Sequence, residues 1–248
     1  MTPSPGSPPR EATAVLYSGG LDSGILVHVL AASGRPVLPI YVDCGLAWQA
    51  AELAAARRFI DRLGSPLVAA PMVLTLPTAD LYGDHWSVNG RGIPDASSPD
   101  EAVYLPGRNA LLAVKPLVWC GLHGVRRLAL ATLRSNPFPD AGREFFESFS
   151  RSMSIAMATD LEIVEPFADC GKTAVMLQGG GAPLAETFSC IDPRTGPEPG
   201  RFSHCGSCNK CAERQRAFVD AGMTDDTTYH ARPPCAADRA SLDCPVDR

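Results

Sequence analysis

The chain has 248 residues, 45% of them hydrophobic, and a formal net charge of −5. That is enough apolar material for one substantial core plus a small appendage. The lack of a long basic run argues against an extended nucleic-acid footprint and leaves nucleotides open. No run of about 18 apolar residues suggests a membrane span. The start, Thr2-Pro3-Ser4-Pro5-Gly6-Ser7-Pro8-Pro9, lacks the order of a secretion signal. Residues 1–12 are expected to be a disordered leader on a soluble, cytoplasmic protein.

Residues 13–180 read as a nucleotide-binding domain. Val15-Leu16-Tyr17-Ser18-Gly19-Gly20-Leu21-Asp22-Ser23 runs from apolar residues through a small polar turn into Ile25, Leu26, Val27, Val29 and Leu30. This is a buried strand, a tight turn and a helix. Unpaired N–H groups and the positive end of the helix dipole make such a junction attract anions. Gly19 and Gly20 let the main chain approach a phosphate. An ordinary turn capped by Asp22 or Ser23 is the competing reading.

Val37 to Val42 gives a second strand, with Pro39 best tolerated where its missing N–H faces no partner. Asp43 follows at the edge where open parallel sheets bind ligands, and with Cys44 and Gly45 it either lines a nucleotide pocket or caps the next helix. Leu53, Ala56, Ile60 and Leu63 recur at helical spacing, with Gly64 as the stop. Leu67 to Ala70 is the expected third strand, and the alternation of strand and helix predicts a parallel sheet. Thr75 to Asp100 loses periodicity and reads as a long active-site loop or a disordered one.

In Pro106-Gly107-Arg108-Asn109, Pro-Gly turns the chain and Asn109 can cap the apolar helix that follows. Arg108 either points at a phosphate or carboxylate or faces solvent. Pro116 should kink that helix. Arg126 to Thr132 is a fourth strand, leading into Leu133-Arg134-Ser135-Asn136-Pro137-Phe138-Pro139-Asp140 at the ligand edge. Phe145, Phe149, Met153 and Ala156 form a helical core stripe. Glu162 to Pro166 is a fifth strand, and Lys172 beyond it either reaches a phosphate or lies on the surface.

Nine cysteines in a chain without a secretion signal point to metal more than to disulfides. Cys190 is followed after fourteen residues by Cys205-Gly-Ser-Cys208-Asn-Lys-Cys211. Four thiolates suit a closed, tetrahedral structural Zn²⁺, with an iron–sulfur cluster as rival and His204 as a possible replacement ligand. Residues 181–224 would form this zinc-binding lobe. Cys44, Cys120 and Cys170 read as buried or loop thiols. Residues 225–248, with Cys235 and Cys244, read as a flexible tail.

Three signals occur in order: Ser18-Gly19-Gly20-Leu21-Asp22-Ser23, Pro106-Gly107-Arg108-Asn109, and Glu186-Thr187-Phe188-Ser189-Cys190 ahead of the cysteine triplet. Together they resemble the 7-cyano-7-deazaguanine synthase family of the ATP pyrophosphatase superfamily, over about residues 13 to 224. The resemblance implies a Rossmann-like adenine nucleotide alpha hydrolase fold, a structural zinc on the four cysteines and a homodimer. It implies an ATP-dependent ligase that uses Mg²⁺, adenylates 7-carboxy-7-deazaguanine and adds ammonia to reach the nitrile.

Under that resemblance Tyr17, Ser18, Gly19, Gly20, Leu21, Asp22, Ser23, Asp43 and Arg108 would hold ATP. Ser18, Asp22, Ser23, Arg108 and Lys172 would serve catalysis, and Arg134, Asn136, Phe138 and Asp140 would meet the substrate. The chain departs from the family where an Asp-Tyr-Ser-Gly-Tyr-Pro-Asp-Cys-Arg type stretch is usual: it reads Arg134 to Gly142 there, keeping only Pro139 and Asp140 in place, and Ile191 stands where tyrosine is usual. A paralogue passing a related carboxylate to another amine, on a protein or nucleic acid, is therefore kept as an alternative. So is a non-catalytic zinc-bearing nucleotide-binding module. A sulfur-transferring ligase acting on RNA shares the loop and ranks lower, because the cysteines here are spaced to be consumed by a metal and leave no obvious catalytic pair.

Overall fold

The computed structural model describes residues 11–196, 198 and 200–231. Five parallel strands form its centre in the order β3-β2-β1-β4-β5: β1 Thr13–Leu16, β2 Val37–Asp43, β3 Met72–Thr75, β4 Arg127–Ala129 and β5 Glu162–Val164. The chain winds outward from β1 through β2 to β3, then returns to lay β4 on the other side of β1. The direction of winding reverses between β1 and β4, and a crevice opens at the carboxyl ends of strands at such a point.

Both faces of the sheet are covered, which is why the strands read as continuous apolar runs. On one side Val15 and Tyr17 pack with α1 (Leu21–Ala32), α2 (Gln49–Leu63), α7 (Lys172–Gln178) and α8 (Asn209–Asp220). On the other, Ala14, Ile40 and Leu128 pack against α5 (Arg108–His123) and α6 (Arg143–Met157). The α6 stripe holds Phe145, Phe146, Phe149, Met153 and Met157, whereas Ala156, expected in it, is exposed. Helix α5 carries the buried Pro116 within its span. Gly64 ends α2 with φ of +59°, as its position suggests.

The third strand begins later than the apolar run Leu67–Ala70 implies. Val68 forms only an isolated bridge to Val37, and the regular ladder starts at Ile40 opposite Met72. Pro71 lies between bridge and ladder and has no N–H to offer. Pro39 falls in the same gap.

Thr75 to Asp100 is folded. Short helices α3 (Ala79–Tyr82) and α4 (Trp86–Asn89) lead to a segment that grips the cysteine lobe: Ala96 N–H donates to Ser207 O at 2.9 Å and Asn209 N–H to Pro94 O at 3.1 Å. A small antiparallel hairpin, β6 (Arg194–Thr195) with β7 (Phe202–Ser203), completes the lobe. Residues 225–231, assigned to the tail by composition, run back along it. His204 N–H donates to Thr228 O, and the Tyr229 ring lies 5.5 Å from that of His204. Cys235 and Cys244 lie outside the described residues.

Helices α1 and α7 meet so closely that a Cβ on Gly179 would stand 2.8 Å from Ile25 Cγ1. Gly179→Ala is expected to cost about 1–3 kcal/mol by overpacking, read as a lower urea midpoint at unchanged slope.

Candidate active site and metal centre

The turn between β1 and α1 is shaped by contacts on both sides. Gly19 has φ of +78°, and a Cβ there would lie 2.9 Å from Glu52 O on α2. Only glycine fits that approach without displacement. On its other side Gly19 O accepts the Phe188 amide at 2.8 Å. Ser18 and Ser23 hydroxyls lie 3.1 Å apart, and the Ser18 amide donates to Ser23 Oγ at 3.3 Å, curling the loop. Gly20 occupies the N-cap without a side-chain cap, and the amides of Leu21, Asp22 and Ser23 have no partner among the described residues. These orphan donors, with the helix dipole behind them, form an anion cradle.

The cradle opens into a cavity of about 380 Å³ at the crevice between β1 and β4. Ser18, Gly20, Leu21, Asp22, Ser23, Arg108, Asn136, Phe138 and Lys172 line it. Lys172 Nζ donates to both Asp22 oxygens, at 2.7 and 2.8 Å, and lies 3.7 Å from Glu213 Oε1. Burial works against the charge on this lysine, but the two carboxylates outweigh it and hold its pKa above the ordinary value. Glu213 accepts from Lys210 at 2.6 Å. Burial would raise its pKa, yet Lys210 and Lys172 together keep it low. Arg108 Nε is buried with no partner, so the guanidinium retains a donor for a ligand.

Four expected contacts are placed elsewhere. Tyr17 is buried under α2, its hydroxyl donating to Ala56 O at 3.2 Å, because the residue after Leu16 alternates away from the cavity. Asp43 turns back to accept the Gly45 amide at 3.1 Å. Arg134 is exposed and lies near Gly171, outside the cavity wall. Asp140 is buried and accepts from the Asn109 amide at 2.9 Å and its side chain at 3.3 Å, capping the first turn of α5.

Sequence reading missed Glu52, Lys210, Glu213 and Arg214, all of which line the cavity. The signal for the last three was a cluster of charges on a helix opening inside the cysteine motif. Arg214 is fully buried and donates to Leu184 O, Thr187 Oγ1, Ser189 Oγ and Thr227 Oγ1. A larger cleft, about 750 Å³, lies at the opposite end of the sheet, where four of its charged residues pair: Arg126 with Asp160 at 3.7 Å and Arg127 with Glu162 at 3.0 Å.

In the lobe, Cys190, Cys205, Cys208 and Cys211 are all buried, with sulfurs within 4.8 Å of one another. Cys190–Cys208 and Cys205–Cys211 are separated by 3.9 and 3.8 Å. A tetrahedron with zinc–sulfur bonds of about 2.3 Å has edges of about 3.8 Å, so the donor set fits zinc. Amides of Asp192 and Cys205 donate to Cys190 Sγ, those of Ser207 and Cys208 to Cys205 Sγ, and that of Gly206 to Cys211 Sγ. Such bonds favour thiolates, the form a metal requires. His204 is not a ligand: its Nε2 accepts the Ser189 amide at 3.2 Å, and burial pushes its pKa down to about 2, leaving a neutral ring.

Sheet, cradle and cysteine lobe together define a Rossmann-like α/β protein with a four-cysteine cluster suited to a metal. The sequence model of the family described as queuosine biosynthesis protein QueC matches residues 12–222, and the chain belongs to that family. It is 30% identical over 232 residues to the 7-cyano-7-deazaguanine synthase of Rhizobium johnstonii, covering 88% of this chain and 91% of that one. The synthase of the same name from Thiobacillus denitrificans is 29% identical, covering 89% and 99%. That from Pseudomonas syringae pv. tomato is 30% identical, covering 89% and 98%. Among the described residues no helix is long and apolar enough to cross a membrane.

Two consequences are measurable. Asp140→Ala leaves the α5 amino end uncapped and should cost about 1–2 kcal/mol in urea unfolding, where Asp140→Asn keeps part of the bond. Cys208→Ser should lower bound zinc, by atomic absorption, together with the unfolding midpoint. Full metal content and an unchanged midpoint in that variant would exclude a structural metal.

Proposed function

We propose that the protein is an ATP-dependent carbon–nitrogen ligase that converts 7-carboxy-7-deazaguanine and ammonia into 7-cyano-7-deazaguanine, forming AMP and pyrophosphate. The names of its relatives support the substrate class. The observation that carries the adenylating chemistry is the uncapped amino end of α1, facing a cavity shared with Lys172 and Arg108.

A carboxylate is a poor electrophile, so its oxygen attacks the α-phosphorus of ATP and it becomes an acyl-adenylate. The amides of Leu21 to Ser23 would hold the departing pyrophosphate. Lys172 and Arg108 would offset the negative charge that builds in the transition state. Asp22, at the lip of the cradle, is the carboxylate suited to a magnesium ion, which would supply further neutralisation of the phosphates. Ammonia converts the adenylate to an amide, and a second adenylation on the amide oxygen followed by loss of AMP gives the nitrile.

A second reading is favoured by one observation: Arg134 and Asp140 do not line the cavity, whose acid-facing wall is instead Ser135, Asn136, Pro137 and Phe138. There the same cradle adenylates a related carboxylate and passes it to another amine. Incubation with ATP, Mg²⁺, 7-carboxy-7-deazaguanine and ammonium, followed by mass spectrometry, separates the readings. AMP with the nitrile is the expected outcome. Neither product would exclude the deazaguanine reaction, and ATP binding without turnover in wild type and Asp22→Ala alike would mark a non-catalytic nucleotide-binding module.

A further inference from the structure

The cavity contains a carboxyl group that the adenylation step does not use. Glu52 lies in the first turn of α2 and lines the same wall as Ser18, Gly20 and Arg108. Its own carbonyl presses on Gly19, so it sits directly beside the cradle. The Tyr41 hydroxyl donates to its Oε2 at 3.0 Å and fixes the carboxyl.

The other carboxylates of the cavity are differently placed. Asp22 is bound by Lys172 and Glu213 by Lys210, while Asp100 is exposed and meets the Asn209 amide group at 3.4 Å. Glu52 has no lysine partner. The charged or titratable groups around it are Tyr41 from β2, Cys44 just beyond that strand and Arg108 from α5, with Asp43 on the far side of Tyr41 and Cys44. Burial raises its pKa to about 7, with Arg108, Tyr41 and Trp48 restraining the rise. Tyr41 itself is pushed far above neutrality by burial and stays protonated.

Amine capture needs such a group. When ammonia attacks the acyl-adenylate, the nitrogen lone pair forms the C–N bond and the carbonyl pair moves to oxygen. The nitrogen then carries a surplus proton and is itself a good leaving group. One N–H proton must depart before the C=O bond re-forms and the C–O bond to AMP breaks, AMP leaving with the electron pair.

We infer that Glu52 is the general base that takes this proton from the attacking amine. The inference rests on the adenylating reaction proposed above, and its own failure is distinguishable from the failure of that reaction. Attack of a carboxylate on ATP releases no proton to a base, so pyrophosphate exchange into ATP, measured with 7-carboxy-7-deazaguanine and no ammonium, reports that half alone.

In Glu52→Gln, which keeps an acceptor for Tyr41, exchange should stay within about twofold of wild type, while amide and nitrile formation with ammonium falls by about 10²-fold or more. In the wild type the amine step, measured at a constant concentration of free ammonia, should lose rate as pH drops through about 7, because the base becomes protonated. That limb should vanish in Glu52→Gln. In Tyr41→Phe it should move to higher pH, since the lost hydrogen bond favoured the charged form. No exchange in the wild type overturns the adenylation reading and this inference together. Exchange with an unimpaired amine step and an unaltered pH profile in Glu52→Gln overturns this inference alone. So does loss of exchange in that variant, which would assign the side chain to nucleotide binding.

Discussion

The structure turns on the position of one peptide, that of Gly19. Its left-handed conformation brings the backbone against α2, and its carbonyl is held by the Phe188 amide at 2.8 Å. The cradle is therefore clamped between α2 and the stretch of chain at Phe188 that leads two residues later into Cys190. Arg214, rising from α8 beside Cys211, ties the same stretch through Leu184, Thr187 and Ser189. A metal held by the four cysteines would thus bear on the geometry of the cradle. If the lobe loosens, the hydrogen bond that sets the Gly19 carbonyl goes with it, and the amides of α1 lose their aim.

The charges of the site are arranged around the same clamp. Lys172 and Lys210 each rest on a carboxylate, and both pairs are partly shielded from water. On the proposed reading an arriving phosphate would exchange one anionic partner for another, with much of the desolvation of these cations already met. The buried Arg108 Nε, lacking any partner, is the exception: it gains most from a ligand, because an unsatisfied buried donor is costly until it is met. Glu52 is arranged in the opposite way: burial raises its pKa, whereas the lysines beside Glu213 keep that of Glu213 low.

What was legible in the sequence was local. Ser18-Gly19-Gly20-Leu21-Asp22-Ser23 and the cysteine spacing specify their own geometry within a few residues, and both stand where the pattern puts them. The five parallel strands followed from apolar runs, though the third was misplaced because Pro71 breaks the ladder just where the apolar signal is strongest. Errors arose wherever orientation mattered. Tyr17 and Asp43 lie at strand ends facing the ligand edge, yet pleating turns one side chain into the core and a local turn claims the other. Glu52, Glu213 and Arg214 face the cavity only because α2 and α8 pack as they do, and spacing along a helix does not reveal which side meets the partner.

That distinction bears on the divergent stretch between Arg134 and Gly142. Its retained acid, Asp140, serves the fold by capping α5, the helix that delivers Arg108 and Asn109. Its changed residues lie nearer the space an acid substrate would fill: Ser135 and Asn136 supply small polar edges, and Phe138, stacked 4.8 Å from Tyr104, supplies a flat apolar one. Selectivity of a pocket for a heterocycle comes from polar groups left unpaired by the wrong partner. The wall of Ser135 to Phe138 hangs from β4, whereas the cradle hangs from β1 and the cysteine lobe. On the proposed reading, substitutions on the first would retune which carboxylate enters while leaving the phosphate cradle untouched, so that a chain can keep the loop and cysteines of its family and rewrite the residues between them.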